Sequence, residues 1–147
     1  MIYFYQKQFI IFYLIQKLLL SGKKKKTGNL ILNFLILFKR KNKDYLSYLE
    51  KIIIKLMVFF TFKIKKVNIS IYQVPQPIIY KKALFKAISW LVKAVKSNSK
   101  NTISTYKKLY LECDNILKQQ GKAYQLKYNF SKKALINRIL IYLTYKK

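Results

Sequence analysis

Histidine is absent from this 147-residue chain, which removes the usual general base near neutral pH and the commonest metal ligand. Acidic residues number only four, and Asp44, Glu50, Glu112 and Asp114 fall in two distant pairs. Each reads as a helix cap or a solvated helix charge, so no pair of carboxylates stands ready for acid–base work. The single cysteine, Cys113, permits no internal disulfide. It lies between Glu112 and Asp114, whose charges oppose thiolate formation, so it reads as a half-buried helix residue rather than a nucleophile. Glycine is equally scarce, and Gly22-Lys23-Lys24 lacks the upstream glycine of a nucleotide-binding loop. Catalysis has almost no material here, and no enzyme activity, metal or cofactor is expected.

Long uninterrupted apolar runs are also missing. A spanning helix needs about 20 residues nearly free of charge. Lys7 and Lys17 interrupt the first apolar run, Asn29 and Asn33 the second, and Lys55 the third. The start has neither the positive flank and cleavage site of a signal peptide nor the Arg- and Ser-rich pattern of a transit peptide. If the protein is organellar, the expectation is synthesis inside the organelle.

What is abundant is positive charge: 31 Lys and Arg against 4 Asp and Glu, a formal net charge of +27. A hydrophobic content of 52% is ample for the core of one domain. No compact fold pairs that charge internally, so a polyanionic partner is implied. Nucleic acid is the leading class. A basic amphipathic protein on an anionic membrane is the alternative from another class, and a non-ribosomal RNA chaperone is a third. Arg40 and Arg138 are the only arginines. Lysine acts on phosphate as a point charge, whereas forked base recognition favours arginine. The pattern therefore predicts recognition of RNA shape and backbone, with tyrosines such as Tyr72 or Tyr80 stacking on unpaired bases. The excess of Lys over Arg, with abundant Ile, Asn, Tyr and Phe, is what AT-rich coding gives, as in many organellar genomes.

The stretch from Val67 to Lys96 organises the rest: a return strand, a proline corner at Pro75 and Pro77, then a two-faced helix over 81–97. Leu84, Ala87, Ile88, Leu91, Ala94 and Val95 share one side of it at about 100° per residue, and Lys82, Lys86, Ser89, Lys93 and Lys96 the other. The prolines are expected to end the strand. Before this stretch, helices are predicted over 3–20, 29–40 and 44–57. Gly22 stands at a left-handed break, Thr27 is a candidate cap for the second helix, and Asp44 for the third. The second helix is apolar almost all round, as suits the middle of a bundle. Phe60, Phe62 and Ile64 alternate with Thr61, Lys63 and Lys65, the period of a strand, and pair with a second strand across Lys66 to Asn68 in a ribbon over 59–74. Helices over 102–120, closed by Gly121, and 130–145 complete the chain. In the last, Ala134, Asn137 and Arg138 lie away from Leu135, Ile136, Ile139 and Leu143, which leaves a small, polar stripe for contact. The fold class is mainly α: one bundle-like domain, 1–147, of about six helices with a protruding two-stranded β-ribbon.

Three segments carry a family resemblance. Tyr72-Gln73-Val74-Pro75, preceded by Lys65-Lys66-Val67 and followed by Trp90-Leu91-Val92 and Ala94, resembles the bacterial-type small-subunit ribosomal protein seven family. Leu14-Ile15, Gly22-Lys23-Lys24 and Leu30-Ile31 are similar to its N-terminal signature. Gly121-Lys122-Ala123, Lys127, Lys132, Ala134 and Asn137-Arg138 are similar to the start of its C-terminal helix. The resemblance implies a structural constituent of the small ribosomal subunit that binds the 3′ major domain of small-subunit rRNA in the head and organises head assembly. It also implies a place near the exit-site tRNA and the mRNA path, beside neighbouring proteins of the head and platform, with no membrane insertion and no homo-oligomer. The rRNA contacts expected on this basis are Lys23, Lys24, Lys25, Lys26, Lys63, Lys65, Lys66, Lys81, Lys82, Lys86, Lys127 and Lys132. Those expected near tRNA and mRNA are Lys65, Lys66, Val67, Asn68, Tyr72, Asn137 and Arg138. With the AT-rich composition, a mitochondrial ribosome is the expected location, ahead of a plastid-type organelle or a bacterial cytoplasm.

Overall fold

The computed structural model describes residues 2–19, 21–41, 45–67, 69–97 and 103–144. In order they form α1 (Ile2–Leu18), α2 (Lys24–Lys41), α3 (Tyr45–Leu56), β1 (Phe60–Val67), β2 (Ser70–Pro77), α4 (Tyr80–Ser97), α5 (Thr105–Leu117), α6 (Lys122–Ile136) and a 3-10 helix (Asn137–Thr144). This is a single small helical domain with one two-stranded antiparallel ribbon.

The two-faced segment forms the central helix. α4 packs against α1, α3, α5 and α6, and buries Ala83, Leu84, Ala87, Ile88, Leu91, Val92, Ala94 and Val95. All six residues assigned to its apolar side are in that set. Around it α1 contributes Ile10, Leu14 and Leu18, α3 contributes Leu49, Ile52, Ile53 and Leu56, and α5 contributes Leu109, Cys113 and Ile116. These spacings of three and four residues each place one stripe against the core.

α2 departs from expectation at its start. It begins at Lys24, five residues before the predicted boundary, and Thr27 is an internal residue whose Oγ1 donates to the Lys23 carbonyl at 3.2 Å. Thr27, Ile31, Phe34 and Phe38 are all buried, so the core-facing stripe runs back into the lysine run. Lysine is a good helix former, and its charge disguised the helix as a break. Leu32 and Ile36 stay exposed on the far side, so α2 is not enclosed all round. Gly22 does take a left-handed φ of 71°, next to Ser21 at 51°.

The ribbon sets Phe60 opposite Pro77 and Val67 opposite Ser70. The strands therefore pair out to Val67 and Ser70, one step beyond the predicted crossing, and β2 runs through Pro75 and ends at Pro77. The Ile78 N–H donates to the Phe59 carbonyl at 2.9 Å, which makes that pair a hydrogen-bonded one. By the alternation of an antiparallel ladder, Pro75 and Pro77 occupy positions whose N–H would point away from β1. A ribbon's outer edge loses no bond to proline.

The C-terminal part differs most. α6 starts at Lys122, eight residues earlier than predicted, and Gly121 precedes it as its N-cap with φ 90°. Beyond Ile136 the chain tightens into the 3-10 helix, which lies along β2. Around this junction the expected apolar side is open: Leu135 and Ile136 at the end of α6 and Ile139 in the 3-10 helix are 66–72% exposed. Arg138 is exposed as expected, while the Asn137 side-chain amide donates to the Gln73 carbonyl at 3.0 Å. Gln73 stands on the outer edge of β2, so it needs a donor from outside the ladder, and Asn137 supplies one. The candidate cap Asp44 lies outside the described residues.

Candidate nucleic-acid interface

The predicted cations divide into two groups. Lys23, Lys24, Lys25 and Lys26 are exposed at the turn into α2, and Lys81 and Lys82 are exposed at the start of α4, beside α1. Lys63 and Lys66 are exposed on β1, Lys132 on α6 and Arg138 on the 3-10 helix, while Lys65 is half-buried. The cations in the first turn of α2 oppose the helix dipole, whose positive end they share. Helix stability is therefore no reason for this run, and a bound anion would relieve the repulsion.

Lys86 and Lys127 belong to the other group. The Lys86 ammonium sits 3.5 Å from the centre of the Phe130 ring and donates to the Phe60 carbonyl (3.4 Å) and Thr61 Oγ1 (3.3 Å). Burial lowers its pKa, while the ring face and two oxygens favour the cation. Phe130 also contacts Phe60, Phe62 and Trp90, with ring centres 5.3, 4.8 and 5.4 Å away. This cluster joins the base of the ribbon to α4 and α6. The Lys127 ammonium donates to the Lys55 carbonyl, and burial lowers its pKa too. Both charges expected on RNA are thus engaged within the protein.

Further lysines reveal a rule that local spacing does not encode. Lys96 donates to the Lys17 carbonyl at 3.4 Å, Lys122 to the Ser97 carbonyl at 3.1 Å and Lys55 to the Leu117 carbonyl at 3.0 Å. With Lys127 on Lys55, the last turns of α1, α3, α4 and α5 each hold an ammonium from another element. Helix C-termini present unpaired carbonyls and a partial negative charge, which makes them the available counter-charges in a chain with few acids.

Glu112, read from the sequence as a helix cap or a solvated helix charge, is a cap, and what the sequence does not show is which helix it caps. It is only 2% exposed, and its Oε1 accepts the Ala123 N–H at 2.8 Å. It therefore caps α6 from α5, a helix away. A Cβ on Gly121 would come within 2.8 Å of the same oxygen, so the glycine makes room for the carboxylate. Cys113 beside it is buried, and desolvation, with the Glu112 and Asp114 charges, pushes its thiol pKa far up. The thiol is inert.

Of the residues expected near tRNA and mRNA, the structure brings most together. Tyr72 lies opposite Lys65 and next to Gln73, which Asn137 holds; Lys66 and Val67 continue β1 to the turn, and Arg138 follows Asn137. The Val67 side chain and Asn68 lie outside what is described. The far end of the ribbon also presents Ile64, Ile69 and Ile71 to solvent. Among the described residues there is no group of three potential metal ligands, and no helix is long and apolar enough to cross a membrane.

A lysine-rich body of six helices with one two-stranded ribbon matches the fold class expected from the sequence. A search of curated protein sequences returned no match. The sequence model of the family described as ribosomal protein S7p/S5e matches residues 3–138. The chain belongs to that family, which makes it a ribosomal constituent of the small subunit that binds rRNA, in a family that is not one of enzymes.

Proposed function

We propose that this protein binds the 3′ major domain of small-subunit rRNA, organises assembly of the head, and extends its ribbon towards the exit-site tRNA and the mRNA path. The observation that carries this reading is the bracing of the ribbon. Its base is held by the Phe130 cluster and Lys86 and its middle by Asn137, while Lys63 and Lys66 remain exposed on β1. A ribbon braced from its base to its middle and charged towards its tip can be set at a defined angle between RNA segments.

Lys23 to Lys26, Lys63, Lys65, Lys66, Lys81, Lys82 and Lys132 neutralise phosphates in this reading, and Lys86 and Lys127 act from within by fixing the elements that carry them. Lys65, Lys66, Val67, Asn68, Tyr72, Asn137 and Arg138 form the tRNA- and mRNA-proximal end. The neighbours are proteins of the head and platform, and the AT-rich coding pattern favours a mitochondrial ribosome. The test is crosslinking of the endogenous protein to RNA after gradient fractionation. Crosslinks concentrated in the 3′ major domain, in the small-subunit peak, are expected, and the RNA's own sequence identifies the compartment. Scattered crosslinks on many RNAs would instead favour a chaperone.

A further inference from the structure

Two adjoining recesses lie between α1 and α4, and they share Tyr13 and Lys81. One, of about 220 Å³, is walled by Phe9, Tyr80 and Leu84; the other, of about 410 Å³, by Ile79, Lys82 and Phe85. The aromatic rings are ordered against one another. Phe9 and Tyr13 stack with ring centres 6.3 Å apart at 27°, and Tyr13 meets Phe85 edge-on at 5.7 Å and 82°. Lys17 holds its ammonium 3.9 Å from the centre of the Phe85 ring. Phe9, Tyr80 and Phe85 are nonetheless substantially exposed.

We infer that these recesses seat an unpaired nucleotide of the bound RNA, its base against Tyr13, Tyr80 and Phe85 and its flanking phosphates on Lys81 and Lys82. The inference rests on the RNA-binding reading and places a base-stacking site within it. Apolar walls alone would suit the side chain of a neighbouring protein equally well. What selects a nucleotide is the rim: Lys81 and Lys82 are exposed, and neither α1 nor α4 contains an acidic residue. An apolar side chain would leave those charges unanswered, whereas a nucleotide offers a flat π-face to the rings and an anion to the rim. Aromatic faces accept any base, so the site takes an extruded or single-stranded nucleotide irrespective of its sequence. A duplex keeps its bases stacked inside and reaches only the lysines.

The experiment compares binding of the full-length protein to a short oligouridylate and to a strand of equal length built from abasic sites, at several salt concentrations. The phosphate charge is the same in both, so any difference measures the bases. The base-bearing strand should bind about tenfold more tightly. Phe85→Ala should bring it down to the abasic level, and Phe85→Trp should restore the difference. Far-UV circular dichroism checks that each variant keeps its helices. Ultraviolet crosslinking of the unaltered protein gives a readout free of mutation: uridine adducts should map to Tyr13, Tyr80 or Phe85. Equal, salt-dependent binding of both strands by the unaltered protein, or adducts confined to the ribbon, would overturn this inference while leaving the RNA-binding reading intact, and would give the recesses to a protein neighbour. Absence of binding to either strand, with no adducts, would overturn both.

Discussion

Replacing Glu112 tests the structural claim with the widest consequences, because its carboxylate fixes the start of α6, and α6 carries Phe130 and leads into Asn137. In Glu112→Ala the Ala123 N–H loses its acceptor in a buried place. A hydrogen bond to a charged group is worth about 1.5 to 3 kcal/mol, and an anion in a partly buried position at a helix N-terminus up to about 2 kcal/mol. Against this stands the desolvation of a carboxylate that is 2% exposed. The net expectation is a loss of about 2 to 3 kcal/mol. Glu112→Gln keeps an oxygen acceptor and removes the charge with its desolvation, so it should cost about 1 kcal/mol or less. Urea unfolding followed by circular dichroism, in high salt to screen self-repulsion, gives the free energies. Thermal melts should fall by about 5 to 10 °C for the alanine variant, at about 2 to 4 °C per kcal/mol for a domain of this size. A loss below about 0.5 kcal/mol in Glu112→Ala would refute the capping role. Equal losses in the two variants would show that charge, not the acceptor, is what α6 requires.

Four shorter predictions accompany it. Gly121→Ala should cost about 1 to 3 kcal/mol by urea unfolding, because its φ of 90° and ψ of 166° suit glycine alone and the new Cβ meets Glu112. Trp90→Ala should cost about 2 kcal/mol, less than the roughly 3 to 5 of an enclosed ring, since Trp90 is half-buried against Phe130; a loss of about 3 kcal/mol or more would place the ring in the core. Lys86 has its pKa lowered by burial, so between its folded value and the ordinary 10.5 the unfolded chain binds the extra proton and stability rises with pH. Compared with Lys86→Met, the unaltered protein should therefore gain ground as pH climbs towards 10.5, and a flat difference would contradict the burial. Reversing Lys63 and Lys66 to Glu should lower the salt slope of RNA binding by about 0.7 to 0.9 for each phosphate the ribbon ceases to neutralise, with the helical signal unchanged; an unaltered slope would remove the ribbon from the interface.

How much of this was legible in the sequence depended on whether the deciding contact was local. The facing of α4 was, because its stripe of apolar residues and its stripe of lysines leave one way to bury it. The ribbon was legible from its period of two, and Pro77 does close β2, but that Pro75 lies within the strand was not legible: which edge of a strand a proline N–H would face follows from register, and register is a pairing fact. The start of α2 was hidden by Lys24 to Lys26, although the step from Thr27 to Ile31 already extended the stripe. The facing at the end of α6 and the start of the 3-10 helix was not legible, since an isolated helix would bury Leu135, Ile136 and Ile139, whereas Asn137 is turned to Gln73 by its contact with β2. The interface lysines are named largely from family motifs, and which lysines are engaged within the protein is not readable at all. Lys86, Lys122 and Lys127 look like any free lysine until Phe130, Ser97 and Lys55 are placed beside them.

That engagement of lysines with helix ends and ring faces bears on how so basic a chain folds. Four acids cannot neutralise 31 cations, and one of the four, Glu112, is committed to capping α6. The helix C-termini answer part of the excess charge. Lys55, Lys96, Lys122 and Lys127 each rest on a terminal carbonyl, and Lys17 and Lys86 rest on ring faces. Such contacts are individually worth about 0.3 to 1 kcal/mol when exposed. They nonetheless join α1 to α4, α4 to α6, α3 to α5 and α3 to α6, so they orient helices as well as relieve charge. A compact ammonium on a flexible stem can reach a single carbonyl, which a planar guanidinium fork fits less well. The lysine-for-arginine bias thus serves contacts between helices as well as contacts with a partner. The exposed lysines at the turn into α2, at Lys63 and Lys66 of the ribbon and at the start of α4 hold their charge towards solvent, and phosphate is the counter-charge that completes them.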